Sequence, residues 1–235
     1  MSVAVITGAS SGLGAALSRR LAEQGWQLII DARRPGPLYR IADELSRHTS
    51  VNAIAGDVTD PGHRDALLRA ARVHGRVDLL VNNASTLGPN GLATTAALEP
   101  ADLRAVLEVN AVAPFALTRA VRDLLAPMAA VICISSDAAV AHYPGWGGYG
   151  AAKAALDHLC GTFAAEDPDH RYYALDPGDM RTPMHQQAFP DEDISDRPLP
   201  DDVVPALLAL YRDRPASGRY RAADVLVPAP SGGSR

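Results

Sequence analysis

Val3-Ala4-Val5-Ile6-Thr7-Gly8-Ala9-Ser10-Ser11-Gly12-Leu13-Gly14 lies near the start of the chain and decides how the rest is read. Val3 to Ile6 is a short apolar run of the kind that forms a strand buried on both faces. After the glycines, Leu13, Leu17 and Leu21 recur every four residues, with Arg19, Arg20 and Glu23 turned outward and Gly25 closing the segment. That spacing predicts an amphipathic helix with a glycine stop. Between strand and helix, Gly8, Gly12 and Gly14 allow a tight turn and a close approach of backbone to ligand. The helix N-terminus adds free N–H groups and the positive end of the helix dipole, so this turn is suited to an anion, and in its strand-to-helix context to the pyrophosphate of a dinucleotide.

The same alternation continues along the chain. Apolar runs at Val3 to Ile6, Gln27 to Asp31, Val51 to Ala55, Val77 to Val81, Ala130 to Ser135, Arg171 to Leu175 and Val225 to Val227 predict seven strands separated by helical patterns. Asp60 as N-cap, Pro61 at the first helical position and Gly75 just past the end frame the third helix. Strands alternating with helices imply an α/β fold, a parallel sheet of about seven strands with helices on both faces, in one domain spanning residues 1–235. Two connections, Ser85 to Glu99 and Pro183 to Pro200, exceed ordinary turns and are expected to wall a substrate site, with 183–200 as a lid. Residues 228–235 are expected to be a flexible tail.

The chain has 235 residues, 47% of them hydrophobic and 21% charged, enough for a packed core. A net charge of −5 provides no positive field for a phosphate backbone, so nucleic-acid binding is not expected. No apolar run reaches membrane-spanning length and Met1 is followed by no signal-like segment, so a cytoplasmic protein without membrane attachment is expected. Cys133 and Cys160 read as buried structural thiols, and no metal-ligand spacing surrounds either.

The spacing G-x-x-x-G-x-G at Gly8, Gly12 and Gly14 resembles the short-chain dehydrogenase/reductase family, and later motifs carry the likeness across almost the whole chain. The resemblance implies a three-layer, doubly wound Rossmann fold that binds a nicotinamide dinucleotide. Thr7, Gly8, Ser10, Ser11, Gly12, Leu13 and Gly14 are then its phosphate-binding turn. Asp57 and Val58 resemble the adenine contact, and Asn82-Asn83-Ala84 the cofactor-supporting turn, with Asn83 and Ala84 as contacts. The family usually has glycine next; this chain has Ser85. The second strand ends Ile30-Asp31-Ala32-Arg33-Arg34. An acid at this strand end accepts from a free ribose 2′-hydroxyl, whereas arginine pairs with a 2′-phosphate. By resemblance the acidic position of NAD-preferring members falls on Ala32, and Arg33 marks NADP(H). Asp31 keeps NAD(H) open, since a shift of one residue at the strand end would bring its carboxylate to the ribose.

Tyr149 and Lys153, four residues apart in a helical pattern, share one helix face, where the ammonium is expected to lower the phenol pKa. Ser136, at the end of the fifth strand and thirteen residues before Tyr149, sits where the family has its catalytic serine. Asn110 resembles the family's fourth catalytic residue, which holds a water linked to the lysine. It falls in a helix expected over Ala101 to Leu125, with Pro114 able to interrupt the ladder. The resemblance implies hydride transfer at a carbonyl or secondary alcohol, with Asn110, Ser136, Tyr149 and Lys153 catalytic and Tyr149 moving the proton. Tyr149 and Lys153 also meet the cofactor ribose, and Pro177, Gly178 and Thr182 lie beside the nicotinamide.

Asp137, Tyr143, Trp146, Met184 and Phe189, with His142 and His185 nearby, suggest a largely apolar substrate pocket with a few polar handles. A small-molecule carbonyl or alcohol is the expected partner, with no metal. Resemblance further implies a homodimer or homotetramer pairing through the helices Ala101 to Leu125 and Tyr149 to Ala165. Two other readings stay open on this scaffold: a biosynthetic enzyme using the site for a non-redox step, and a non-catalytic NAD(P)-sensing protein.

Overall fold

The structure, a computed structural model, describes residues 1–226. Seven strands form one parallel sheet in the order β3-β2-β1-β4-β5-β6-β7. They are β1 Val3–Ile6, β2 Gln27–Ala32, β3 Val51–Ala55, β4 Val77–Asn82, β5 Leu125–Ile134, β6 Arg171–Asp176 and β7 Gly218–Arg221. The order runs outward in one direction from β1 and in the other from β4, so the sheet is doubly wound with its switch point between them.

Alternate residues of each strand feed two apolar layers. Ala4 and Ile6 of β1 face helices α1 Gly12–Glu23, α2 Pro35–Leu45 and α8 Pro200–Asp213, through Leu17, Leu21, Leu38, Leu45 and Leu207. Val3 and Val5 face α3 Pro61–His74, α5 Ala113–Val121 and α6 Gly147–Glu166, through Leu67, Leu117, Leu156 and Phe163. With helices on both faces, the three-layer doubly wound architecture is the one the sequence pattern implies. Asp60 caps α3 by accepting from Gly62 N–H, and Gly75 ends it in the left-handed region at φ 72°.

Two expectations are corrected. The seventh strand is Gly218–Arg221; Val225 lies instead in the short helix α9 Ala222–Val225, and Val227 is outside the described residues, as is the tail 228–235. The expected helix over Ala101 to Leu125 is divided. It comprises α4 Pro100–Leu107, a π-helical turn at Glu108–Val112, α5, and a tight turn at Arg122–Leu124 before β5. In an α-helical ladder the Asn110 carbonyl would accept from residue 114, and Pro114 has no N–H. The connection 183–200 carries a helix of its own, α7 Pro183–Ala188, and is tied at its ends by Arg181 N–H donating to the Pro198 carbonyl at 2.8 Å.

Candidate active site

Beyond the carboxyl ends of β1, β2, β4, β5 and β6 lies a cleft of about 940 Å³. Open α/β sheets bind ligands at this edge. The turn from β1 to α1 forms one end. Gly8 and Gly12 have φ of 68° and 55°, and a Cβ on Gly14 would stand 2.6 Å from both Asn83 Nδ2 and the Gly8 carbonyl oxygen. Only glycine fits such a turn. No side chain caps α1 and no acid occupies its first turn, so its N–H groups and the Ser11 side chain are left for a ligand.

Gly8, Ser10, Ser11, Gly12 and Leu13 line this end, whereas Thr7 and Gly14 lie behind it. Thr7 Oγ1 accepts from the N–H groups of Asn83 and Ala84, each at 3.0 Å. Asn83 Nδ2 donates to the Thr7 carbonyl at 2.8 Å, locking the β4 turn onto the glycine turn, and Asn83 and Ala84 reach the cleft. Val58 lines the cleft but Asp57 does not; its carboxylate accepts from Thr59 N–H at 2.9 Å and Thr59 Oγ1 at 2.8 Å.

Asp31 is fully buried. Its Oδ1 accepts from Gly8 N–H at 2.8 Å, and its Oδ2 lies 2.9 Å from His63 Nε2. Burial pushes this carboxyl up, against the opposing effects of His63 and the Gly8 N–H. Asp31 therefore supports the glycine turn from beneath. Arg33 and Arg34 are exposed at the mouth beyond β2, and Ala32, where an acid would mark NAD preference, is buried.

The opposite end is assembled from β5, α6 and the segment after β6. Tyr149 and Lys153 share the buried face of α6, with Lys153 Nζ 5.5 Å from the Tyr149 ring centroid. Lys153 Nζ donates to the Ile134 carbonyl at 2.7 Å. Burial lowers its pKa to about 8, opposed by Asp157 and Cys133. The expectation that Lys153 lowers the Tyr149 pKa is overturned: burial pushes the phenol up to about 12, with hydrogen bonding to Ser85 and Ser136 opposing that rise. Ser136 Oγ lines the cleft and donates to Asp137 Oδ1 at 2.9 Å.

Asn110 is fully buried and off the cleft wall. Its Oδ1 accepts from Ser85 Oγ at 3.1 Å and Thr86 N–H at 2.9 Å, and its Nδ2 donates to the Thr86 carbonyl at 2.8 Å. The side chain thus tethers the loop beside Tyr149. Pro177, Gly178 and Thr182 line the cleft, with Thr182 Oγ1 capping α7 by accepting from His185 N–H at 3.1 Å. Asp137, Tyr143, Trp146, Met184 and Phe189 complete its far wall, and Trp146 packs edge-on against Tyr149 at 5.5 Å. His185 joins this wall; His142 does not.

Arg219 was not singled out from sequence. From β7 it donates to the Ser136 carbonyl at 2.9 Å, to Asp157 Oδ2 at 3.0 Å and to Asp176 Oδ2 at 3.2 Å. One guanidinium therefore joins the ends of β5 and β6 to the helix carrying Tyr149 and Lys153. A lone arginine in a polar segment has no local signature of such a role. The buried Asp31–His63 pair is equally invisible, because its members lie on β2 and α3.

A glycine turn at the switch point of a doubly wound sheet, facing a buried tyrosine and lysine, defines a Rossmann-fold protein with an enzyme-like cleft. A sequence profile of the short chain dehydrogenase family matches residues 2–193. The chain belongs to this short-chain dehydrogenase/reductase family of oxidoreductases. It is 36% identical over 202 residues to sepiapterin reductase of Meriones unguiculatus, covering 79% of this chain and 77% of that one. A short chain dehydrogenase structure from Pseudomonas syringae superposes with a TM-score of 0.87 at 31% identity, covering 94% of both chains. Another, from Shigella flexneri and complexed with NADP, gives 0.86 at 25% identity, covering 94% of this chain and 97% of that one. Among the described residues, no helix is long and apolar enough to cross a membrane.

Proposed function

We propose that the chain is an NADP(H)-dependent oxidoreductase acting between a carbonyl and a secondary alcohol of a small organic molecule, with Tyr149 as proton donor in the reducing direction. The observation that carries this reading is the convergence of Ser136, Tyr149 and Lys153 on the cleft that begins at the glycine turn. The uncapped N-terminus of α1 and the crowded Gly8–Gly14 backbone fit a pyrophosphate, held by N–H groups of the turn. When bound, the nicotinamide supplies or receives the hydride.

The remaining steps belong to the chain. Tyr149, with its pKa raised to about 12, is a neutral phenol at physiological pH and holds a proton for an oxygen gaining negative charge. Ser136 Oγ turns from Asp137 to donate to that same oxygen. Lys153, with its pKa near 8, stays largely charged at neutral pH and provides a fixed positive charge behind the phenol. Asn110 acts as a positioning residue, holding Ser85 and Thr86 beside Tyr149. Segment 183–200 closes over the substrate as a lid, with α7 carrying Met184 and His185 into the cleft.

NADP(H) is favoured over NAD(H) because Asp31 is consumed by Gly8 and His63, while Arg33 and Arg34 stand free at the mouth for a 2′-phosphate. The Shigella flexneri short chain dehydrogenase that superposes on this chain is complexed with NADP, which supports the same choice. Self-association is read through the segment Ala101 to Leu125 and the helix α6, supported by the exposure of Val112 and Phe115 in the first of these. A panel of aldehydes and ketones followed at the nicotinamide absorbance, with NADPH and NADH in parallel, tests the reading. We expect carbonyl-dependent NADPH oxidation and binding of NADPH at least about tenfold tighter than NADH. NADPH binding with no oxidation by any carbonyl contradicts the reaction, and equal NADH binding contradicts the cofactor choice.

A further inference from the structure

We infer that the substrate half of the cleft selects a carbonyl compound carrying a positive charge beside its reacting carbon, and that Asp137 reads that charge. The inference rests on the reductase reading of this cleft and names its substrate class.

Asp137 follows Ser136 directly and is exposed on the cleft wall. Its carboxylate is held from three sides. Oδ1 accepts from Ser136 Oγ at 2.9 Å and Ala138 N–H at 2.8 Å, and Oδ2 accepts from Tyr143 Oη at 2.8 Å. These donors are all neutral, and among the described residues no arginine, lysine or histidine forms an ion pair with Asp137. A fixed negative charge therefore sits about one hydrogen-bond length from the hydroxyl that is to hold the substrate oxygen. The hydrogen bond to Asp137 and its negative charge also push the Tyr143 phenol up.

The cations lining the cleft do not offset this charge. Arg33 and Arg34 stand at the β2 end, and Lys153 is buried with its ammonium on the Ile134 carbonyl. A second carboxylate, Asp179, lines the same half. Unlike Asp137, it has an ion-pair partner, Arg197 Nε at 3.9 Å, with His185 Nδ1 at 3.7 Å.

An independent observation comes from His185. Its side chain is only 10% exposed, it lines the cleft, and Nε2 has no hydrogen-bond partner among the described residues. Buried polar atoms are rarely left unpaired, so a bound molecule is expected to use it. Trp146 and Phe189, with ring centroids 5.9 Å apart, both line this wall, and aromatic rings attract cations. A compound bearing a carboxylate or phosphate near its carbonyl would meet the Asp137 carboxylate, which has no cationic partner among the described residues, beside Ser136. An ammonium would meet a held carboxylate and aromatic rings.

The test uses the full-length protein saturated with NADP+, because a ketone cannot be reduced by the oxidised cofactor and binding is read without turnover. Three ketones of similar shape are titrated calorimetrically: phenacyltrimethylammonium, its neutral tert-butyl isostere, and benzoylacetate. We expect the cation to bind about tenfold tighter than the neutral isostere, and the carboxylate to bind weakest. In Asp137→Asn, with NADP+ binding unchanged, the preference for the cation should collapse to less than about twofold. A cation that binds no tighter than its isostere, or shows no binding at millimolar concentration, overturns the inference and leaves the reductase reading intact. A preference that survives Asp137→Asn overturns the assignment to Asp137. Failure of NADP+ itself to bind would instead remove the cofactor reading beneath it.

Discussion

At the β1–α1 end of the cleft the backbone is the wall, whereas at the β5–α6 end the wall is made of polar side chains tied to distant strands. A Cβ on Gly8 would meet the Ala84 Cα at 2.9 Å and the Asn83 amide at 3.0 Å, and one on Gly14 would meet the Asn83 amide and the Gly8 carbonyl, both at 2.6 Å. Around Tyr149 the shape is set by bonds spanning long stretches of chain: Lys153 to Ile134, Asn110 to Ser85 and Thr86, Arg219 to Ser136. The first construction is rigid because nothing can be inserted. The second is precise only while buried charges and donors keep their partners, so the two ends should fail differently when mutated.

The largest effect on cofactor binding is expected at the rigid end. Gly14→Ala places a Cβ 2.6 Å from the Gly8 carbonyl, so the turn must shift. NADPH affinity, read by fluorescence titration, should fall at least about 100-fold, with a lower melting temperature as well. Retention of near-normal affinity would mean that the turn is as adaptable as the other end.

Lys153→Met should affect turnover far more than cofactor binding, even though its ammonium is also expected to meet the cofactor ribose. Turnover is expected to fall about 100-fold or more, with NADPH still bound. The same variant carries a pH signature. Lys153 has a folded pKa near 8 against an ordinary 10.5, so between these values the unfolded chain binds more protons than the folded one. Stability should therefore rise with pH from about 8 toward 10, and above 10 the raised Tyr149 pKa acts in the opposite sense as unfolded phenols ionise first. Urea titrations at pH 7 and 9.5 should show this rise in the wild type and a smaller rise in Lys153→Met; identical slopes would mean that the ammonium is not buried at a cost.

The smallest of these effects belongs to Arg219, which acts through others. Arg219→Ala leaves Asp157 and Asp176 without their guanidinium, and kcat is expected to drop about tenfold with the NADPH Kd within about twofold. Arg219→Lys should restore only part of the loss, because one ammonium cannot span three acceptors. A matching fall in kcat and NADPH affinity would indicate general loosening of the fold instead.

The difference between the ends also explains what could be read in the sequence. The β1–α1 turn is a local pattern, so Val3 to Ile6, the three glycines and the leucine spacing were sufficient for it. The central strands are apolar because both faces are buried. Among the described residues β7 is an edge strand bonded only to β6, and Gly-Arg-Tyr-Arg, half exposed, carries no apolar run; the expectation therefore slid to Val225. Spacing put Tyr149 and Lys153 on one helix face, but the direction of the tyrosine shift depends on burial, which spacing does not contain. Thr7 and Asp57 belong to motifs beside the cleft, yet their side chains are spent on Asn83, Ala84 and Thr59. Asp31 and Arg219 needed partners 32 and 83 residues away, beyond any local pattern.

The central claim is that Tyr149 passes its proton to the substrate oxygen while the opposite end of the cleft holds NADPH independently. Tyr149→Phe removes one oxygen atom and keeps the ring packed against Trp146. Steady-state turnover of an active carbonyl substrate and NADPH titration on the same preparation should show kcat reduced by about 1,000-fold or more with the NADPH Kd within about twofold. Turnover within about threefold of the wild type would contradict the account.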